Sequence, residues 1–284
     1  MIAVVTDPPI TAQAPPVSSP AARGGRSKAE LLATVSASRL GTWLQCRLKF
    51  YFRYVLGIVK PNTPARHVGS VVHAVLQQWS LARWRRAPLE GEMVTAVFDK
   101  AWTDTNEGEE IKWADDEPEA EVKTAARSLI DTYLRETPIP PDEKPEAVEV
   151  SVEKDLASQG LPTIIGVLDL VRSGGRIVDF KTTGKTPNAE MALHANDVQL
   201  TAYAILYREA TDHRETALEL HHLVKLKTPK LIVTTSEPAT EIQTTRFFRL
   251  VESYVRGVES EDYVPSPGFA CAGCEFFNEC RGWK

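Results

Sequence analysis

The sequence predicts an α/β protein: a central mixed sheet flanked by helices. Three observations carry that prediction. Between residues 147 and 227, strand-like runs surround a single helical run; residues 36–145 instead space their apolar positions as helices do; and a last helix precedes a cysteine-bearing tail. The chain divides accordingly into a tail at 1–34 and one domain at 35–284, with a helical part (36–145), a sheet-and-helix part (146–230) and a C-terminal helix and tail (240–284).

Residues 1–34 are rich in Pro, Ala, Ser and Thr and have no apolar period, so they read as a disordered tail. Ser36 or Ser38 can cap a first helix containing Leu40, Trp43 and Leu44. The next run, Arg47 to Tyr54, interleaves basic and aromatic residues. A helix from about Arg66 to Arg85 places Val68, Val72, Val75, Leu76 and Trp79 at helical spacing, with His73 among them. Residues 104–121 hold nine acidic residues and one lysine, the pattern of a solvated face. A helix over 119–135 and a proline-rich linker (Pro138, Pro140, Pro141, Pro145) lead into the strands.

Ala147–Leu156 alternates Val148, Val150 and Val152 with Glu149, Ser151 and Glu153, as a strand with one face inward does. Thr163–Val171 is apolar on both faces except for Asp169, the mark of a central strand. Ser173-Gly174-Gly175 turns the chain into a strand over Arg176–Thr182. Asn196–Ala210 is helical, Leu218–Lys227 is a strand, and Glu241–Val258 is the last helix.

Composition narrows the classes. Hydrophobic residues at 43% and charged residues at 25% are ordinary for a globular chain. No run approaches the length of a membrane span, and the start of the chain lacks a signal pattern, so a cytoplasmic protein is expected. The net charge of -5 argues against a general nucleic-acid coating protein. A protein whose metal site needs carboxylates and whose groove alone is positive remains compatible with it.

The chemistry concentrates in one constellation. A charge at Asp169, in a strand otherwise built of Ile165, Val167, Leu168 and Val171, has to be paired or bound to metal. Asp179 and Lys181 lie two apart on the next strand and share a face. A turn symmetric about Gly174 sets Arg172 opposite Arg176, and so Asp169 opposite Asp179, at about 4.5–5.5 Å between Cβ atoms, whereas a two-residue turn shifts the register and puts them on opposite faces. Two carboxylates at that separation can share a hard cation such as Mg²⁺ or Mn²⁺. Lys181 beside them can orient or deprotonate a water and offset charge on a phosphate. Gln199 and Tyr203, at i and i+4 on the following helix, present an amide and a phenol on one face, and a neutral His73 is a fitting ligand for Mn²⁺.

The four cysteines are Cys46, standing alone, and Cys271, Cys274 and Cys280 in a C-x2-C-x5-C tail. Four thiolates suit tetrahedral zinc or an iron–sulfur cluster, and the spacing alone does not choose between them.

Taken in order, His73, Gly166-Val-Leu-Asp169, Asp179-Phe-Lys181 and Gln199-x-x-x-Tyr203 resemble the RecB-like branch of the PD-(D/E)XK nucleases. Ser36–Gly57 is similar to that branch's N-terminal segment, and the likeness covers about residues 36–82, 147–208 and 264–282. It implies a restriction-endonuclease-like fold and a divalent-metal-dependent phosphodiesterase acting on DNA. His73, Asp169, Asp179 and the backbone carbonyl of Phe180 would bind the metal, Lys181 would serve the water, and Gln199 and Tyr203 would support the site or hold DNA. The second acid is Asp179 where the family more often has Glu, and Arg47 follows Cys46 where it often has proline.

The one-plus-three cysteines resemble the iron–sulfur members of the branch, among them CRISPR-associated exonucleases and AddB-type helicase–nuclease subunits. This implies a 4Fe–4S cluster on Cys46, Cys271, Cys274 and Cys280 that joins the N-terminal helices to the C-terminal tail. Single-stranded DNA ends are the expected substrate, within recombination, repair or replication. Arg47, Lys49, Phe50, Tyr51, Phe52, Arg53 and Tyr54 are the candidate lining, with Arg39, Arg83 and Arg85. Two alternatives stay open: an end-trimming or structure-specific endonuclease within a CRISPR-adaptation-like complex, and a non-catalytic iron–sulfur DNA-binding subunit.

Overall fold

The computed structural model describes residues 24–105, 111–113 and 118–284. Helix α1 (Lys28–Ala33) leads into strand β1 (Thr34–Ser36), then α2 (Ala37–Gln45) and α3 (Arg47–Phe50), which continues as a π-helical turn over Tyr51–Val55. Helices α4 (Pro64–Trp84), α5 (Glu92–Asp104) and α6 (Glu119–Glu136) complete the N-terminal part. Strands β2 (Ala147–Lys154), β3 (Thr163–Arg172) and β4 (Arg176–Thr183) follow, then α7 (Ala189–Ala195) and α8 (Asp197–Thr211). The chain closes with β5 (Ala217–Val224), β6 (Lys230–Ser236), α9 (Glu241–Glu259) and α10 (Phe277–Gly282).

The expected tail is shorter than its composition indicated. Lys28–Ala33 is helical because Ser27 and Glu30 form a reciprocal capping box and Leu31 is fully buried. Residues 1–23 of that tail, and residues 106–110 and 114–117 of the acidic run, lie outside the described residues.

All six strands form one mixed sheet in the order β1-β3-β4-β5-β6, with β2 also paired to β3. β1–β3 and β4–β5 are parallel, whereas β2–β3, β3–β4 and β5–β6 are antiparallel. One face packs on α1, α2, α8 and α9 through residues such as Trp43, Leu206, Phe247 and Tyr254. The other packs on α4, α5 and α6 through Val72, Leu76, Trp102, Ile130 and Phe180.

Two irregularities in this sheet create the space for a site. The turn over 173–175 sets Arg172 opposite Arg176, but β3–β4 pairing stops at Leu170↔Val178. β2 pairs along β3 from Ile164 to Val171, so β1 and β4 share the opposite edge; the short β1 occupies the part that β4 leaves. The strands therefore fork at Asp169 and Asp179.

The second irregularity is Glu149, whose φ of 49° is left-handed. The sequence pattern placed Val148 and Val150 on one face; in the fold Val148 joins the core beside α4 and Val150 the core beside α8. The left-handed residue breaks the alternation, a conformation that costs of order 1–3 kcal/mol in a non-glycine residue.

Candidate active site

Asp169 sits on β3 at the fork and is buried, at 7% exposure. Its Oδ2 accepts a hydrogen bond from the Phe180 amide at 3.1 Å, taking the place of the ladder bond that the splayed strands do not make. Glu149 stands directly across from it, between the pairs Val148↔Leu170 and Val150↔Leu168. His73, in the middle of α4, contacts the Phe180 carbonyl through Nε2 at 2.8 Å and faces Asp169 Oδ2 through Nδ1 at 3.4 Å.

Ligand atoms of His73, Glu149 and Asp169 all lie within 4.8 Å of one another, which makes this trio able to hold a metal ion. With Nε2 donating to Phe180, Nδ1 is the lone pair left for a cation, and the backbone acceptor fixes the ring's tautomer and tilt. The Phe180 carbonyl, expected as a ligand, is thus engaged by the histidine.

Asp179 and Lys181 share the β4 face that looks into the same space. Asp179 is 1% exposed, and its Oδ1 accepts from Gln199 Nε2 at 2.8 Å. Its Oδ2 is buried with no hydrogen-bond donor aligned on it, although the Lys181 ammonium stands 2.8 Å away as an ion pair. A buried carboxylate oxygen left in that state fits a ligand to a cation.

Gln199 is the hub of the polar side. Its Oε1 accepts from Lys181 Nζ at 2.8 Å, and its Nε2 donates to Asp179 and to Tyr203 Oη, also at 2.8 Å. Because an ammonium can only donate and a carboxylate only accept, the amide's orientation is fixed by its neighbours.

The electrostatics follow from burial. Desolvation, with the charge of Asp169 adding to it, pushes Glu149 up to about 8. Burial pushes Asp179 up to about 6; Lys181 pulls it down and Asp169 pushes it further up. Tyr203 is raised by burial and then by the two aspartates, so it stays a neutral phenol that accepts from Gln199. Carboxylates crowded in this way are relieved by a divalent cation. The trio's donor set of one imidazole and two carboxylates suits Mn²⁺ or Mg²⁺, with Asp179 beside it.

Reasoning from the sequence missed Glu149, which it took for the outward half of an alternating strand. No local signal marks it, since glutamate does not favour a left-handed φ. It also missed His222, which is 6% exposed, pairs in register with Lys181 on β5 and has a buried Nδ1 without a partner.

A cleft of about 610 Å³ opens beside the site, and its lining includes Ser36, Ser38, Glu153, Asp169, Gln199 and Tyr203. None of the basic and aromatic residues expected as DNA lining is among the residues lining this cleft. Phe50 and Phe52 are core residues, Arg39 is buried, and Arg83 is buried against the Pro140 carbonyl. Arg47 pairs with Asp262, and Lys49 and Arg53 pair with Glu275, so these cations join the two ends of the fold. Their charge is spent on acids of the C-terminal tail, which sequence distance concealed.

The four cysteines are free of disulfides and line one small cavity of about 70 Å³ with Leu48, Phe52 and Phe276. Burial, then the neighbouring Cys46, Cys271 and Cys274, raises the pKa of Cys280.

A family model for the PD-(D/E)XK nuclease superfamily matches residues 34–281, and the chain belongs to that superfamily. The membership and the fork geometry together support a nuclease. One solved structure, described as a "putative exonuclease" from Eubacterium rectale, is 14% identical, with 91% of each chain covered and a TM-score of 0.57, a likeness of fold. Another, SSO0001, is 14% identical over 90% of this chain and 96% of its own, with a TM-score of 0.36. No curated protein matches the sequence. No helix among the described residues is long and apolar enough to cross a membrane.

Proposed function

We propose that the chain is a divalent-metal-dependent deoxyribonuclease that degrades single-stranded DNA from its ends. The observation that carries the reading is the convergence of His73, Glu149 and Asp169 on one point beside the Asp179–Lys181–Gln199 cluster. His73 Nδ1, Glu149 and Asp169 would hold the ion, with Asp179 Oδ2 as a further ligand. A bound Mg²⁺ or Mn²⁺ supplies Lewis-acid polarisation of the phosphoryl oxygen and lowers the pKa of an attacking water. Lys181 positions that water and offsets the charge that develops on phosphate. Gln199 holds the Lys181 ammonium and Asp179 at fixed spacing, and Tyr203 anchors Gln199.

The exonuclease form of this reading is supported by the fold shared with the Eubacterium rectale chain described as a "putative exonuclease". Recombination, repair or replication is the setting in which a single-strand exonuclease works. The cysteines carry a 4Fe–4S cluster in this proposal, as their resemblance to the iron–sulfur members of the RecB-like branch implies; the four line one cavity. Four unpaired cysteines suit the reducing cytoplasm. The test is digestion of end-labelled linear single-stranded DNA with Mn²⁺, beside the same strand circularised. Loss of the linear strand with survival of the circle is expected; equal cutting of both would show an endonuclease.

A further inference from the structure

We infer a phosphate-binding rail that leads away from the metal site along α4 and β4 and ends on Arg66 and Lys185; the inference rests on the nuclease reading. Two contacts set its direction. His73 Nε2 meets the Phe180 carbonyl at 2.8 Å, and a Cβ on Gly69 would lie 3.4 Å from Thr182 Oγ1. One turn back along α4 therefore corresponds to two residues forward on β4, so helix and strand leave the site side by side in one direction.

On the helix, Ser70 and Arg66 lie three and seven residues before His73 and share its face. Arg66 is thus about 10 Å along the axis from the metal ligand. On the strand, the chain continues past Lys181 through Thr182, Thr183 and Gly184 to Lys185. Thr183 Oγ1 accepts from the Lys185 amide at 3.2 Å and donates to the Lys185 carbonyl at 3.1 Å, which holds the loop in one shape. A Cβ on Gly184 would meet nothing within 4 Å, so the space above the loop is open.

The charge state of these two residues separates them from their neighbours. Ser70, Arg66 and Lys185 are exposed, and among the described residues neither cation has an ion-pair partner. By contrast Arg47, Lys49, Arg53 and Lys60 are all paired with acids of the C-terminal tail. A chain with a net charge of -5 must attract a polyanion locally, and unpaired cations on both sides of the exit do so. The ligand class is the phosphodiester backbone next to the bond being cut, recognised without base contacts.

The test is binding of a fluorescent single-stranded oligothymidylate in chelator at several salt concentrations, followed by cleavage with Mn²⁺. Arg66→Ala and Lys185→Ala should each flatten the dependence of log affinity on log salt by about 0.7, and the double variant by about 1.4. In cleavage, both should raise KM more than they lower kcat, and Arg66→Lys and Lys185→Arg should restore the slope. A wild type that binds and cuts, with variants that keep its slope and KM, overturns the rail alone. A wild type that binds without cutting, with variants that lose slope, keeps the rail and removes the catalytic reading. A wild type that neither binds nor cuts overturns both.

Discussion

Glu149 shows how a single residue's conformation makes the site. Its left-handed φ of 49° turns its carboxylate toward Asp169 and His73, and its burial holds it protonated up to about pH 8 until a cation replaces the proton. Glu149→Gln should raise the Mn²⁺ concentration for half-maximal activity by about tenfold or more, within the range seen when support for a metal site is lost. An unchanged metal titration would remove Glu149 from the ligand set.

The same carboxylates set a pH dependence whose sign can be worked out. Glu149 rises from 4.5 to about 8 and Asp179 from 3.8 to about 6, so the folded chain binds more protons than the unfolded chain between roughly pH 4 and 8. Stability is then highest below the unfolded values and is lost as pH rises through the folded ones. In chelator, the melting temperature should fall from pH 5 to 8 by this contribution, and Mn²⁺ should reduce the fall. Glu219 acts in a separate window. Burial would raise it, but the His221 hydrogen bond and the nearby arginines hold it at about 2, so its contribution is lost only below about pH 4.5.

At the scale of elements, the hairpin of β3 and β4 determines whether the acids face one another. Gly174 and Gly175 have φ of 75° and 71°, and a Cβ on Gly175 would lie 2.7 Å from Tyr207 Oη. Gly175→Ala should lower stability by about 1–3 kcal/mol, read from the urea midpoint, and reduce activity by loosening the fork. The turn was legible in the sequence, since Arg172 does pair with Arg176, but the direct pairing of Asp169 with Asp179 expected from it is not made, because the ladder ends at Leu170↔Val178. Helix α5 could have been read as well, since Val94, Phe98, Ala101 and Trp102 have helical spacing. The fork and the left-handed Glu149 could not: β1 takes the edge of β3 that β4 leaves, a contact between residues far apart in sequence, and no local signal marks Glu149.

At the scale of the whole molecule, the two ends of the described chain are bound together around the sheet. The Leu48 amide donates to the Val264 carbonyl at 3.1 Å, Lys60 pairs with Glu279, and Phe276 packs on Leu48 and Phe52 beside the cysteines. The pattern of basic residues at 47–53 was visible in the sequence, but their acidic partners in the C-terminal tail were not. Under the iron–sulfur proposal, purified protein should be brown with four irons per chain. Cys274→Ala should lose colour, iron and several degrees of melting temperature together. Zinc in place of iron would refute the cluster while leaving the junction intact.

The central claim is that Asp169, Asp179 and Lys181, at the fork of β3 and β4, cut DNA with a divalent cation. The most direct measurement is cleavage of a labelled single-stranded oligonucleotide by the wild type and by Lys181→Met, each with Mn²⁺ and with chelator. The account predicts metal-dependent cutting by the wild type, none in chelator, and a turnover at least about a hundredfold lower for Lys181→Met with affinity for DNA little changed. Cutting that survives chelation, or equal turnover by the variant, would contradict it.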